Sequence, residues 1–362
     1  MRPPFRADQV GSLLRPAALA EARIEFKRGA IGADALRQRE NEAIVAAVAR
    51  QESIGLRGVT DGEFRRAYWH LDFMARLKGV ALTEHAGPKF GGTEEQPPIA
   101  QVVGKLEYVE PVMVDDFRFL RETTRQTAKF TIPSPSMLHL RGGRQGISKE
   151  FYPDLESFWQ DAAAVYRKAI AAFAAAGCTY LQLDDVAFAY LGDENFRASC
   201  RRNGDDPSTL PRRYAQTINA ALADRPAGLA VTIHTCHGNF KSSSATRGSY
   251  DEIAEALFSC EVDGFFMEFD SELSGSFEPL RLLPRNKKVV LGVVTTKVGE
   301  IEAKAAIRRR IDLAARYTPL DNLCLSPQCG FASTHHGNDL SEADQWRKLA
   351  LVVEVAREVW GD

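Results

Sequence analysis

The chain has 362 residues, 44% of them hydrophobic, enough to bury one large core or two ordinary ones. Forty-six basic against forty-eight acidic residues leave a formal charge of −2, which argues against a dedicated nucleic-acid or anionic-membrane surface. Six cysteines without the dense spacing of a disulfide scaffold, no long apolar span and no signal-peptide pattern give the expectation of a soluble cytoplasmic protein.

In chain order, short strand-like runs alternate with longer amphipathic stretches. Strands are expected at Ala7 to Ser12, Gly58 to Asp61, Ala128 to Ile132, Tyr180 to Asp184, Ala230 to Cys236, Gly264 to Glu268, Lys288 to Val294 and Asn322 to Leu325. Helices are expected at Asp34 to Ile54, Leu155 to Ala176, Pro211 to Ala223, Tyr250 to Cys260, Ile301 to Tyr317 and Glu342 to Trp360. Such alternation implies a parallel sheet, and eight repeats favour a single (β/α)₈ TIM barrel spanning residues 1–362. Two segments fall outside the alternation. Arg15 to Arg37 reads as an extra helical layer with no clean apolar face. Gly79 to Glu110, punctuated by Gly87-Pro88, Gly91-Gly92 and Pro97-Pro98, reads as a β-hairpin excursion after the second strand, either covering the barrel mouth or decorating its surface.

Reactive groups of a barrel collect at the carboxyl ends of its strands, and this sequence places unusual side chains there. In the run Val231 to Asn239, His234 and Cys236 are two apart and project from one face of an extended strand. Gly264 to Asp270 is apolar throughout until Glu268, a carboxylate for which a buried strand has no structural use. Cys329 follows the strand stop Pro327-Gln328. His234, Cys236, Glu268 and Cys329 together offer the nitrogen, sulfur and oxygen donors that Zn²⁺ takes, although any one of them alone would be an ordinary core residue.

Other polar groups stand at the same end. Gly11 leaves backbone groups open beside Val10 and Ser12, a cradle for a carboxylate, or Ser12 is only a turn residue. Glu63 and Asp184 would bracket a substrate ammonium group, or else cap the helices that follow them. Lys297 is a candidate general acid or a solvated charge. His237 is a neighbour of the ligand pair facing away from it, and Trp69 and His70 are candidate pocket residues beside Phe73, which is more at home in the core. His335 and His336, adjacent in the chain, are poorly arranged for one metal ion and offer at most a substrate contact.

Val10-Gly11-Ser12, Asp61-Gly62-Glu63, Leu181-Gln182-Leu183-Asp184, His234-Thr235-Cys236, Glu268 and Pro327-Gln328-Cys329-Gly330 resemble, in order, the catalytic-domain motifs of cobalamin-independent methionine synthases. The likeness is greatest to the short, single-barrel members of that family. It implies a zinc-dependent methyltransferase on a barrel of the uroporphyrinogen-decarboxylase-like type, acting on the thiol of homocysteine to form methionine. By the same resemblance His234, Cys236, Glu268 and Cys329 match the zinc ligands. Val10 and Ser12 match the carboxylate site of homocysteine, and Glu63 and Asp184 its amine site.

The methyl donor is less defined. The chain is about half the length of the two-domain synthases, and it has Val294-Thr295-Thr296-Lys297 where the family carries an Asp and a His. The segment Ile132 to Met137 lies where a donor should approach, without an evident pterin-stacking tryptophan. Methyltetrahydrofolate and a methylated corrinoid protein both remain as donors. Two other readings stay open: alkyl transfer to another small thiol such as coenzyme M, and a metal-free, decarboxylase-like barrel.

Overall fold

The computed structural model describes residues 2–83 and 97–361. Among these residues lie nine strands: β1 (Gly58–Val59), β2 (Lys78–Thr83), β3 (Ile99–Glu107), β4 (Thr127–Pro133), β5 (Tyr180–Asp185), β6 (Ala230–Thr235), β7 (Gly264–Glu268), β8 (Lys288–Val294) and β9 (Leu323–Pro327). Seven of them form one curled parallel sheet in the order β1-β4-β5-β6-β7-β8-β9. Helices cover the outer face, so β5, β7 and β9 are buried along their whole length, which is why β7 is apolar up to its last residue.

Of the eight barrel strands expected from the sequence, seven form the ladder among the described residues. Ala7 to Ser12 makes a single parallel bridge, Ala7 to Leu325, with Asp8 N–H donating to Leu325 O at 3.0 Å. Beyond that point side chains take its backbone groups. Gln9 N–H donates to Asp8 Oδ1, Gln9 O accepts from Lys129 Nζ, Val10 O from Gln182 Nε2, and Gly11 O from Thr60 Oγ1. A carbonyl already satisfied by a side chain has no need of a ladder partner, so the segment runs irregularly from the β9 edge toward Gly62, whose carbonyl accepts from Leu13 N–H. The second expected strand is cut to two residues for a similar reason: Gln51, from the helix Ala33–Ile54, bonds both the N–H and the C=O of Thr60.

Inside the curl, Phe266, Val290 and Cys324 stand side by side on β7, β8 and β9 and pack with Val10. Lys129 is fully buried among them, its Nζ 3.8 Å from the centroid of Phe266 and 3.1 Å from Asp8 Oδ1. Tyr180 donates to the other oxygen of the same carboxylate. The ion pair is thereby fully hydrogen-bonded, the condition under which a buried charge is tolerated.

β2 and β3 form the antiparallel hairpin expected between 79 and 110, displaced to start at Lys78, with a bulge where Gly79 takes φ +88. Its expected tip, including Gly87-Pro88 and Gly91-Gly92, lies outside the described residues. The extra layer from Arg15 is the helix Ala17–Lys27, which buries Leu19 and Ala22 and leaves Ile24 and Phe26 exposed. The helix Glu342–Trp360 has the expected bounds because Ser341 and Asp344 form a reciprocal cap, worth about 1 kcal/mol. Two helices are shorter than their apolar patterns, Ala254–Phe258 and Lys304–Ala314. Among the described residues, no helix is long and apolar enough to cross a membrane.

Candidate metal and substrate site

At the carboxyl end of the sheet, β5 and β6 place Asp184 and His234 directly opposite one another. Their side chains therefore share a face, and Asp184 Oδ1 lies 3.3 Å from His234 Nδ1. That contact turns the other ring nitrogen, Nε2, inward, where it is buried without a hydrogen-bond partner. Cys236 follows on the same face just past β6, and Cys329 comes from the turn after β9. Their sulfurs are 3.8 Å apart, and the donor atoms of His234, Cys236 and Cys329 all lie within 4.8 Å of one another.

This arrangement fits a tetrahedral metal. Two thiolates each about 2.3 Å from zinc, at a tetrahedral angle, stand roughly 3.8 Å apart, and a buried imidazole nitrogen lacking a partner is the third donor required. The electrostatics agree. The contact with Cys236 and the His234 ring together outweigh burial and hold the Cys329 thiol well below its usual range. Cys236 is correspondingly pushed up by Cys329 and by burial. Burial opposes the charged form of His234, but Asp184 and Cys329 outweigh it and raise the ring to about 10.

Glu268, the fourth expected ligand, stands at the end of β7 but outside this group of three. Its Oε2 accepts from His237 N–H at 2.7 Å and lies 3.2 Å from His237 Nδ1. Its Oε1 is 2.6 Å from Lys297 Nζ. Burial alone would raise this carboxyl, yet His237 and Lys297 hold it below the ordinary carboxylate range. Lys297 is bound to Glu268 and, at 3.6 Å, to Asp270, and does not line the cavity described below. Burial opposes its charge, but Glu268 and Asp270 outweigh burial and raise its pKa above the ordinary lysine value.

A single cavity is lined by His234, Cys236 and Cys329 together with Val10, Ser12, Glu63 and Asp184. Gly62 and Glu63 both take positive φ, +65 and +57, in a turn in which Asp61 Oδ1 accepts from Glu63 N–H. A non-glycine residue held in that conformation costs roughly 1–3 kcal/mol, and here it aims a carboxylate into the cavity. Burial pushes the Glu63 carboxyl up to about 8; Arg66, 3.5 Å away, opposes the shift, and Asp184 and Asp61 add to it. Gly330 is packed so closely on Ser12 that a Cβ there would lie 1.8 Å from Ser12 Oγ.

Trp69 and His70 also line the cavity, while Phe73 is buried in the core. His335 and His336 stack on each other at 3.9 Å and do not line the cavity. In the segment from Ile132 to Met137, Ser134 and Ser136 donate to Asp185. The sequence reading missed Arg15, whose guanidinium binds the carbonyls of Ala332, Thr334, Glu63 and Arg66 and so ties the turn after β9 to the Glu63 turn. It also missed Arg141, a cation in the cavity wall beside the ring of Tyr190. Neither had a local signal, because an isolated arginine after a strand is by default a surface residue.

The family model for the catalytic domain of cobalamin-independent synthases matches residues 5–358. Uncharacterized protein YxjH of Bacillus subtilis (strain 168) is 46% identical over 99% of this chain and 95% of its own length. The methionine synthase of Pyrococcus furiosus is 25% identical over 97% of this chain and 91% of its own. Among solved structures, the putative vitamin-B12 independent methionine synthase of Listeria monocytogenes superposes with a TM-score of 0.78 at 37% identity, each chain covered fully. A match across nearly the whole length, from the segment before the sheet to the last helix, makes this chain a member of the cobalamin-independent methionine synthase family.

Proposed function

We propose that the protein is a zinc-dependent methyltransferase that methylates the thiol of homocysteine to give methionine. The observation that carries this reading is the shared cavity: a buried His-Cys-Cys set with sulfurs 3.8 Å apart lines it together with Val10, Ser12 and the two buried acids Glu63 and Asp184. Bound Zn²⁺ would supply a Lewis acid that lowers the pKa of a substrate thiol and keeps it nucleophilic at neutral pH.

The chain's own residues divide the remaining work. His234, Cys236 and Cys329 would hold the metal, and Glu268 would serve as an exchangeable fourth ligand. The backbone N–H groups beside Gly11 and the Ser12 hydroxyl receive the substrate carboxylate, and Glu63 and Asp184 receive its ammonium group by charge-assisted hydrogen bonds. Anchoring both ends of the amino acid orients its side chain toward the cysteines, so that the sulfur is presented in one direction to the methyl donor. Methyltetrahydrofolate and a methylated corrinoid protein are the candidate donors. All six cysteines are free, in keeping with the reducing cytoplasm where we place the reaction.

The test presents homocysteine with each donor in turn and measures methionine, with and without a zinc chelator. Cys329→Ser is expected to lose zinc and activity together; zinc retained with undiminished turnover in that variant would count against the reading. Transfer to a thiol lacking an amino group, such as coenzyme M, is the alternative, but such a substrate gives no use to two buried acids. Equal turnover of such a thiol by wild type and by Glu63→Gln would favour it.

A further inference from the structure

Glu268 is held by residues that are chain neighbours of the two cysteines. His237, next to Cys236, donates its backbone N–H to Oε2 at 2.7 Å, and Gln328, next to Cys329, brings Nε2 to 3.5 Å from Oε1. The decisive partner comes from elsewhere: Lys297, on the turn after β8, sets Nζ 2.6 Å from Oε1. Lys297 is itself anchored by Asp270 at 3.6 Å, and its side chain is only 15% exposed. Moving Glu268 to a metal held by His234, Cys236 and Cys329 would break a short buried ion pair and leave the ammonium group with Asp270 alone, which is costly where water cannot replace the lost partner.

We infer that Lys297 is a positioning residue that competes with the metal for Glu268 Oε1, keeping the carboxylate a weak, displaceable ligand and one coordination position available to the substrate thiol. The inference rests on the metal reading proposed above. It gives Lys297 a use that does not require it to give up a proton, in agreement with its absence from the cavity wall. A metal site with three protein donors and one exchangeable position is the form expected of a catalytic rather than a structural centre.

The experiment is a double-mutant cycle on the full chain, reading Zn²⁺ affinity by competition with a chromogenic chelator and the visible absorption spectrum of the Co²⁺-loaded protein. Lys297→Met should free Glu268 to ligate, tightening Zn²⁺ binding by about 10-fold or more and altering the Co²⁺ spectrum, whereas Lys297→Arg, which keeps the ion pair, should match wild type. Glu268→Gln alone should shift affinity by less than about 3-fold, and adding it to Lys297→Met should abolish the gain. Unchanged affinity and spectrum in Lys297→Met would overturn the inference, as would a loss of about 100-fold in Glu268→Gln, which would mark a permanent ligand. Should Lys297→Met fail to fold, the Glu268→Gln measurement decides alone. A wild-type protein that binds neither Zn²⁺ nor Co²⁺ removes the metal reading itself, a result distinct from a metal-binding protein indifferent to Lys297.

Discussion

Asp184 and His234 are register partners on adjacent strands, and Asp184 Oδ1 lies 3.3 Å from His234 Nδ1 in the wall of the cavity. One carboxylate orients the imidazole proposed to bind the metal and belongs to the position proposed for the substrate ammonium group. Asp184→Asn should therefore damage both functions. Zinc affinity should fall by about 10–100-fold, the range seen when the hydrogen-bond partner of a metal-binding histidine is removed. Methionine binding, measured by calorimetry on zinc-saturated protein, should weaken in the same variant. A variant with full zinc affinity would show that the imidazole needs no such orientation.

Glu63 predicts a proton event. With its carboxyl raised to about 8, it is protonated at neutral pH, and a bound ammonium group favours its ionised form. Binding of methionine, which has no thiol to complicate the count, should release about one proton per site at pH 7. Calorimetry in two buffers of different ionisation enthalpy reads this directly, and Glu63→Gln should bring the release to zero.

The same shift has a consequence for stability. Between the ordinary value of 4.5 and about 8, the folded protein holds a proton on Glu63 that the unfolded chain has lost. More protons bound in the folded state mean that the contribution of this group to stability falls as pH rises through that window and is constant above it. Chemical denaturation of wild type and Glu63→Gln at pH 5.5 and 8 checks the sign, with pH values set roughly inside that window. The variant's advantage over wild type should grow toward the higher pH.

Gly330→Ala isolates the carboxylate site. The added methyl group would collide with Ser12 Oγ, so Ser12 must shift while the cysteine sulfurs need not. Loss of one hydrogen bond to a charged group is worth about 1.5–3 kcal/mol, so the KM for homocysteine should rise by roughly 10- to 100-fold with zinc content unchanged. Equal KM in the variant would remove Ser12 from the binding site.

The strands best read from sequence are those whose reason is local. Gly264–Glu268 and Lys288–Val294 have the expected bounds because both are apolar runs enclosed on two faces, and their pattern does not depend on a distant partner. Ala7 to Ser12 has a similar pattern, yet Lys129, Gln182 and Thr60 take its carbonyls. Those side chains come from 49 or more residues away, beyond any local window. Arg15 is a further case, since its four carbonyl partners exist as a set only once the turns after β1 and β9 are adjacent.

The sequence by itself determined which side chains reach the end of the sheet. A two-residue period makes His234 and Cys236 share a face, and strand-ending residues put Glu268 and Cys329 at carboxyl ends, consequences of backbone geometry that hold in any environment. Only the tertiary structure decided which of the four come together. It set Cys236 against Cys329 across 93 residues of chain and turned Glu268 toward Lys297 and His237. The orientation of a buried carboxylate is determined by the charges that surround it, and here those charges arrive from separate loops of the fold.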